Sequence, residues 1–253
     1  MGFKDHFSGH AQIYAAARPD YPPELFTWLA GISPRRGLAW DCATGNGQAA
    51  LGLARHFQRV IATDASAAQL QAATPHESVD YRCQPAEQPL AEAGQVDLVT
   101  VAQALHWLER DAFYANADRA LGTDGVLAVW CYGRQSVNAA VDPVIDYLYA
   151  DILGPHWPPD RLHVESGYAN LEFPYPELPA PALHMERHWT LDQQLAYLRS
   201  WSATQRYLQA KGQDPIMLVM EELGAAWGGD DPHIRQTIRW PLALRVGRKL
   251  RSP

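Results

Sequence analysis

Leu38-Ala39-Trp40-Asp41-Cys42-Ala43-Thr44-Gly45-Asn46-Gly47-Gln48 runs from apolar residues into an acid, then into small residues and two glycines two apart. An Ala/Leu-rich segment of helical character follows. Glycine lets the backbone turn sharply and approach a ligand closely, because no Cβ stands in the way. A strand that turns through glycines into a helix makes a nucleotide-sized cradle. The next apolar run, Val60-Ile61-Ala62-Thr63, ends in Asp64, seventeen residues beyond Gly47. That is close to the ~20-residue separation at which a second strand delivers a carboxylate to ribose hydroxyls. Together the two signals indicate a nucleoside cofactor.

Outward from this stretch the pattern alternates. Strands are predicted at 38–42, 60–63, 79–83, 96–101 and 126–130, with helices at 24–30, 48–57, 66–73 and 111–120 and a turn at 121–125. Ser66 is placed to cap its helix. Strands alternating with helices at this spacing mean an α/β fold with a largely parallel sheet. After residue 133 the pattern changes. A helix is predicted at 141–153, an irregular proline- and aromatic-rich excursion at 154–181, and a strand at 184–189. A long helix at 191–210, another at 215–227 and a last strand at 237–246 follow. Residues 1–36 read as an N-terminal helical arm, 37–133 as the cofactor-binding core, and 134–253 as a cap plus the final strands of the same sheet. Most tryptophans of the late region, among them Trp189, Trp227 and Trp240, are expected in the core, since each buries a large area.

The bulk numbers bound the function. The chain has 253 residues, enough for one large domain with a sizeable core. Its formal net charge of −7 argues against binding nucleic acid or an anionic membrane by bulk electrostatics. The basic cluster Arg245, Arg248, Lys249, Arg251 is expected to be a solvated end. Cys42, Cys83 and Cys131 are scattered, the first two in predicted strands and the third directly after one, so buried thiols in a reducing compartment are expected. There is no apolar signal-peptide core and no run near the ~18 apolar residues needed to span a bilayer. A cytoplasmic protein, monomer or weak homodimer, is the expectation. His184 and His188 do not form a metal site: four apart on a strand they are separated by roughly 13 Å. No metal is expected.

Two cofactors compete for the cradle. Gly45-Asn46-Gly47-Gln48-Ala49-Ala50 fits the Gly-x-Gly-x-x-Ala dinucleotide pattern, which by itself suggests NAD and an oxidoreductase. Asp41 points elsewhere. It precedes the first glycine by four residues, where a pyrophosphate would tolerate nothing negative. A carboxylate there suits a cationic ligand such as S-adenosyl-L-methionine. Pro85-Ala86-Glu87-Gln88-Pro89-Leu90 adds a small residue and an acid after the third strand, where an adenine amino group could find an acceptor.

At these residues the chain resembles the class I S-adenosylmethionine-dependent methyltransferases, and within them the methyltransferase type 11 group with its trans-aconitate methyltransferase-like members. The resemblance rests on Tyr14-Ala15-Ala16-Ala17-Arg18-Pro19-Asp20-Tyr21-Pro22, on Asp41 to Gly47, and on Asp64-Ala65-Ser66. It continues in Ala86-Glu87, in Gln103-Ala104-Leu105-His106-Trp107, in Leu121-Gly122-Thr123-Asp124-Gly125 and in Leu198-Arg199-Ser200-Trp201-Ser202-Ala203. It implies a Rossmann-like seven-stranded, mostly parallel sheet with helices on both faces and a late helical cap. It implies an enzyme that moves a methyl group to a small organic acceptor, a carboxylate being the favoured class. A methyltransferase acting on a macromolecule remains the other reading beside NAD. The family usually carries glycine where this chain has Ala43, so a slightly altered turn is expected, with the site retained.

Residue by residue, Asp64 is assigned to ribose, with Ala65, Ser66 and Gln69 beside it. Asp41 serves the methionine end. Ala43, Thr44, Gly45, Gly47 and Gln48 form the loop. The backbone of Ala86 and the acid of Glu87 face adenine. Gln103 and Ala104 contact the cofactor mostly by backbone, and Tyr14 and Arg18 reach cofactor or substrate. His106 is the candidate general base for a hydroxyl or amine acceptor; a carboxylate acceptor needs none. Trp107, Tyr132, Trp201 and Arg206 are assigned to the substrate, with Arg206 as the cation for an anionic acceptor.

Overall fold

The computed structural model describes residues 19–229, 231 and 233–250. Tyr14, Arg18 and Arg251 lie outside the described residues. One seven-stranded sheet organises the rest, in the order β3-β2-β1-β4-β5-β7-β6. Its strands are β1 (Leu38–Cys42), β2 (Arg59–Asp64), β3 (Val79–Cys83), β4 (Val96–Ala102), β5 (Leu121–Tyr132), β6 (Leu183–Trp189) and β7 (Gln236–Arg248). β1 to β5 pair in parallel, and β7 runs antiparallel to both β5 and β6. The chain winds outward from β1 through β2 to β3, then crosses back so that β4 pairs with the other side of β1. Strand order therefore reverses between β1 and β4, and the crevice at their carboxyl ends is where such sheets bind ligands.

The central strands are buried on both faces, which is why they read as near-continuous apolar runs. Along β5, Val126, Ala128, Trp130 and Tyr132 face one core layer, while Leu127, Val129 and Cys131 face the other. The first layer is closed by α1 (Pro23–Ile32), α2 (Gln48–Ala54) and the late helices α5 (Asp142–Tyr147), α7 (Leu191–Arg199) and α9 (Met220–Trp227). The second is closed by α4 (Arg110–Ala120) and α6 (Arg161–Glu165). The short helix α3 (Ala67–Gln71) follows β2, and α8 (Ser202–Lys211) follows α7.

Several boundaries differ from the pattern-based ones. The helix expected over 191–210 breaks at Ser200–Trp201, where Trp201 turns extended (ψ 137) and α8 restarts. The turn expected at 121–125 is a bulge inside β5: Leu121 already pairs with Val96, and regular pairing resumes at Val126. Within it Asp124 takes a left-handed conformation (φ 62). Cys83 is exposed, because β3 is the sheet's edge and its end leaves the core; Cys42 and Cys131 are buried. The described members of the basic cluster, Arg245, Arg248 and Lys249, are not a solvated end. Arg245 donates to the carbonyls of Tyr168 and Leu171 and pairs with Glu177, and Arg248 donates to the carbonyls of Asp124 and Ile32. These side chains tie β7 to the loops around it. Among the described residues no helix is long and apolar enough to cross a membrane.

Ala43 adopts φ 55, the conformation that glycine supplies without steric cost. A left-handed L-residue costs roughly 1–2 kcal/mol. Glycine would remove that strain while adding about 0.4–1 kcal/mol of unfolded-state entropy. Ala43→Gly should therefore stabilise the fold by up to about 1 kcal/mol, raising Tm by roughly 2–4 °C in thermal unfolding. A lower Tm would show that the Ala43 methyl contributes packing that outweighs the strain.

Candidate functional site

β1 delivers Asp41 to the centre of the crevice. Its side chain is wholly buried. One carboxylate oxygen accepts from Thr44 Oγ1 at 2.5 Å, and the other from Thr100 Oγ1 at 2.7 Å. The Thr100 bond spans β1 and β4, so it crosses the line where the strand order reverses. Burial raises the Asp41 pKa from 3.8 to about 6, against the two hydroxyl bonds that lower it. Asp41 thus both anchors the loop from below and stores negative charge beneath it.

From Asp41 the chain enters a loop with left-handed residues at alternate positions: Ala43 (φ 55), Gly45 (φ 59) and Gly47 (φ 84). A Cβ at Gly47 would sit 2.3 Å from the Tyr81 hydroxyl, so sterics add to the backbone requirement there. Among the described residues a Cβ at Gly45 would meet only Gln69 Oε1, at 3.9 Å, so there the loop presents bare backbone. Asp64, at the end of β2, holds this loop. One of its oxygens accepts from Gly45 N at 2.8 Å and the other from Ser66 N at 2.8 Å. A carboxylate has about four acceptor sites, so both bonds are compatible with a ribose diol held by the same group. Ser66 caps α3 by accepting from Gln69 N. Two carboxylates, an open glycine backbone and a strand-order reversal fit an adenosyl group bearing a cationic end.

Other expected positions are more occupied than their sequence suggests. Gln48 donates to Pro19 O and to Asp20 Oδ1, both at 2.9 Å, and so fastens α2 to the segment before α1. The carbonyl of Ala86 is held by Asn116 Nδ2 at 2.9 Å. Glu87 is exposed and accepts from Glu109 N at 3.3 Å, where α4 begins. Ala65 lies between Asp64 and Ser66. Gln103 takes φ 55, and its side-chain amide brackets Tyr132, accepting from the N–H at 2.7 Å and donating to the carbonyl at 3.3 Å. That clamp closes the end of β4 onto the end of β5 and commits the Gln103 side chain, while its N–H donates to Trp130 O at 2.8 Å.

A short 3-10 turn, Leu105–Trp107, follows and carries His106. The imidazole is buried, with Nδ1 2.9 Å from the Tyr168 hydroxyl and the Trp107 ring centred 4.6 Å away. Helix α6 packs directly against this turn. At the carboxyl end of β5, Gly133 and Arg134 open onto a cavity of about 630 Å³, which Tyr149, Trp157, Arg161 and Glu165 also line. Trp201 is buried behind it, its ring centre 5.6 Å from those of Tyr149 and Trp157. Arg206 does not line this cavity; Arg161 does. The guanidinium of Arg161 lies 4.8 Å from the Trp157 ring centre, and its Nε donates to the Tyr149 hydroxyl at 2.9 Å. The Tyr149 hydroxyl donates in turn to Glu165 at 2.5 Å, and burial pushes its pKa up to about 12. Sequence reasoning missed Thr100, Tyr149, Trp157, Arg161 and Tyr168. Thr100 carried a signal, as a polar residue inside the apolar run 96–101. The others sit in the segment without a period.

Asp41 has a measurable signature. Its folded pKa lies above the ordinary value, so the folded state binds the proton more tightly. Stability from this group is full below about pH 4 and is lost as pH rises through about 6. Asp41→Asn does not titrate. The variant's stability relative to wild type should therefore rise by about 1.4 kcal/mol from pH 5 to pH 7.5 in denaturant titrations. No change across that range would contradict a buried, desolvated carboxylate.

Comparison with known proteins agrees with this geometry. Residues 40–129 match the family described as "Methyltransferase domain". A provisionally named type II methyltransferase from Anaeromyxobacter dehalogenans is 44% identical with a TM-score of 0.88, over 93% of this chain and 99% of its own. A provisionally named methyltransferase of Dictyostelium discoideum is 29% identical over 98% of this chain and 96% of its own length. A methyltransferase structure from Anabaena variabilis shares the fold at 16% identity, TM-score 0.53, over 89% of this chain and 98% of its own. The Gly-x-Gly-x-x-Ala string thus does not signal NAD here, and the chain belongs to the class I S-adenosylmethionine-dependent methyltransferases.

Proposed function

We propose that the enzyme methylates a small organic acid on its carboxylate, bound in the cavity at the carboxyl end of β5. Arg161 is the observation that carries this reading. Its guanidinium carbon lies over the Trp157 ring, 4.8 Å from the ring centre, and Nε is already committed to Tyr149. Among the described residues neither Nη atom of Arg161 has a hydrogen-bond partner. A planar fork held this way matches a carboxylate in two parallel hydrogen bonds. The aromatic walls would bury the rest of a small acid.

The division of labour follows. S-adenosylmethionine supplies a methyl on a sulfonium, a leaving group that needs no proton. Asp64 and the Gly45 backbone would hold its ribose, Gln103 and Ala104 would border it, and Asp41 would set a negative potential beneath its cationic end. Arg161 orients the carboxylate, which is already anionic at neutral pH and needs no base. Trp201 backs the cavity from behind, and Trp107, Tyr132 and His106 lie outside its lining. Holding an acceptor in line within ~3–3.5 Å of the methyl can supply about 7–11 kcal/mol of the barrier.

A panel of small carboxylic acids, amines and phenols, assayed for transfer of labelled methyl, tests the class. A carboxylic acid should be the productive acceptor. Charge-assisted hydrogen bonds contribute about 1.5–3 kcal/mol. Arg161→Gln should therefore raise the acceptor's KM at least about tenfold, while Arg206→Gln leaves it within about twofold. Productive amines with inert acids, or an unchanged KM in Arg161→Gln, would overturn the reading.

A further inference from the structure

The cavity at the carboxyl end of β5 carries a negative charge that a simple carboxylic acid leaves unused. Glu165 lines it together with Arg161. The two are four residues apart on α6, so their side chains leave the same helix face. One hydroxyl joins them. Tyr149 Oη accepts from Arg161 Nε at 2.9 Å and donates to Glu165 Oε1 at 2.5 Å. A guanidinium only donates, so the hydroxyl proton is directed to the glutamate. Among the described residues Glu165 forms no ion pair, and its Oε2 has no hydrogen-bond partner.

Arg134 is the other charged residue of the described lining. It pairs with Asp146 at 2.5 Å, so its charge is already compensated. What remains is one cationic fork and one carboxylate oxygen, on either side of the Tyr149 hydroxyl. A purely anionic acid held by the fork would face Glu165 across that hydroxyl, and like charges at such range repel. An ammonium on the same molecule turns the repulsion into a charge-assisted hydrogen bond.

We propose that the acceptor is a zwitterionic α-amino acid, with its carboxylate on the Arg161 fork and its ammonium on Glu165 Oε2, and that it leaves as the methyl ester of its α-carboxyl group. The inference rests on the reading above in taking this cavity as the acceptor site. It decides which atom reacts. An ammonium held by a carboxylate keeps its proton and has no lone pair to offer. A carboxylate has about four acceptor sites and the fork uses two, so an oxygen lone pair stays free. That oxygen forms the bond to the methyl carbon as the carbon–sulfur bond breaks, and the bonding pair leaves with sulfur as S-adenosylhomocysteine. No proton is released.

Paired acceptors test the inference on the full chain. Each α-amino acid of a panel is assayed with labelled S-adenosylmethionine against the same acid lacking the amino group, and dicarboxylic acids are run beside them. The amino acid should have a kcat/KM at least about tenfold above its deaminated counterpart. Mild alkali should release the label as methanol, as it does from an ester and not from an N-methyl group. Glu165→Gln keeps an acceptor for the Tyr149 hydroxyl and removes the charge. It should raise KM for the amino acid at least about tenfold and leave that of the deaminated acid unchanged or lower. A deaminated or dicarboxylic acid that matches the amino acid would overturn the inference and leave carboxylate methylation standing. So would a KM shift in Glu165→Gln equal for both members of a pair, the mark of a purely structural role. An alkali-stable label, or acids of every kind inert, would overturn both readings.

Discussion

The carboxylate of Asp64 joins the two turns on which the cofactor site depends. It accepts from Gly45 N in the loop after β1 and from Ser66 N in the turn after β2. Two loops from neighbouring strands are thereby set in one register by a single charged group. Charge-assisted bonds of this kind are among the stronger ones a side chain makes to backbone. The left-handed run at Ala43, Gly45 and Gly47 is tolerable because the loop is pinned at its centre by Asp64 and at its root by Asp41. Asp41 accepts through Thr44 from the loop and through Thr100 from β4, and its burial leaves it a weak acid. Two acids with different surroundings therefore do different work. Asp64 is partly exposed and orders backbone, whereas Asp41 is dry and shapes potential.

The cofactor half was legible because its chemistry is local in sequence. Strand, acid, glycines and second acid follow within one βαβ unit, and each has a backbone or charge reason to be there. The same locality made Ala43 readable as an altered turn, which its positive φ now explains. Glu87 and Gln48 were assigned to the ligand from position along the chain. Their partners, Glu109 N and Pro19 O, come from elements that sequence spacing does not relate to them.

The acceptor half was illegible for the same reason. The cavity proposed for it combines the end of β5 with α6 and the irregular stretch around Trp157, and no period connects them. Arg206 was favoured because helical spacing set Trp201 and Gln205 on one face, with Arg206 beside them. The break at Ser200–Trp201 removes that argument, since Trp201 precedes the helix and is not part of its face. The basic run at the end of β7 misled in a parallel way. Charge clusters are usually solvated, but Arg245 and Arg248 are consumed in tying loops to the sheet. One of those ties holds the turn that sets the Tyr168 hydroxyl beside His106. The placing of these two residues therefore rests partly on a residue far from them in sequence.

The most direct test of the account is calorimetry of S-adenosylhomocysteine with wild-type protein and with Asp64→Ala, each first shown to be folded. Loss of charge-assisted hydrogen bonds worth about 1.5–3 kcal/mol each predicts at least tenfold weaker binding in the variant. Equal affinity in a folded variant would contradict the central claim that this carboxylate builds and fills the nucleoside site.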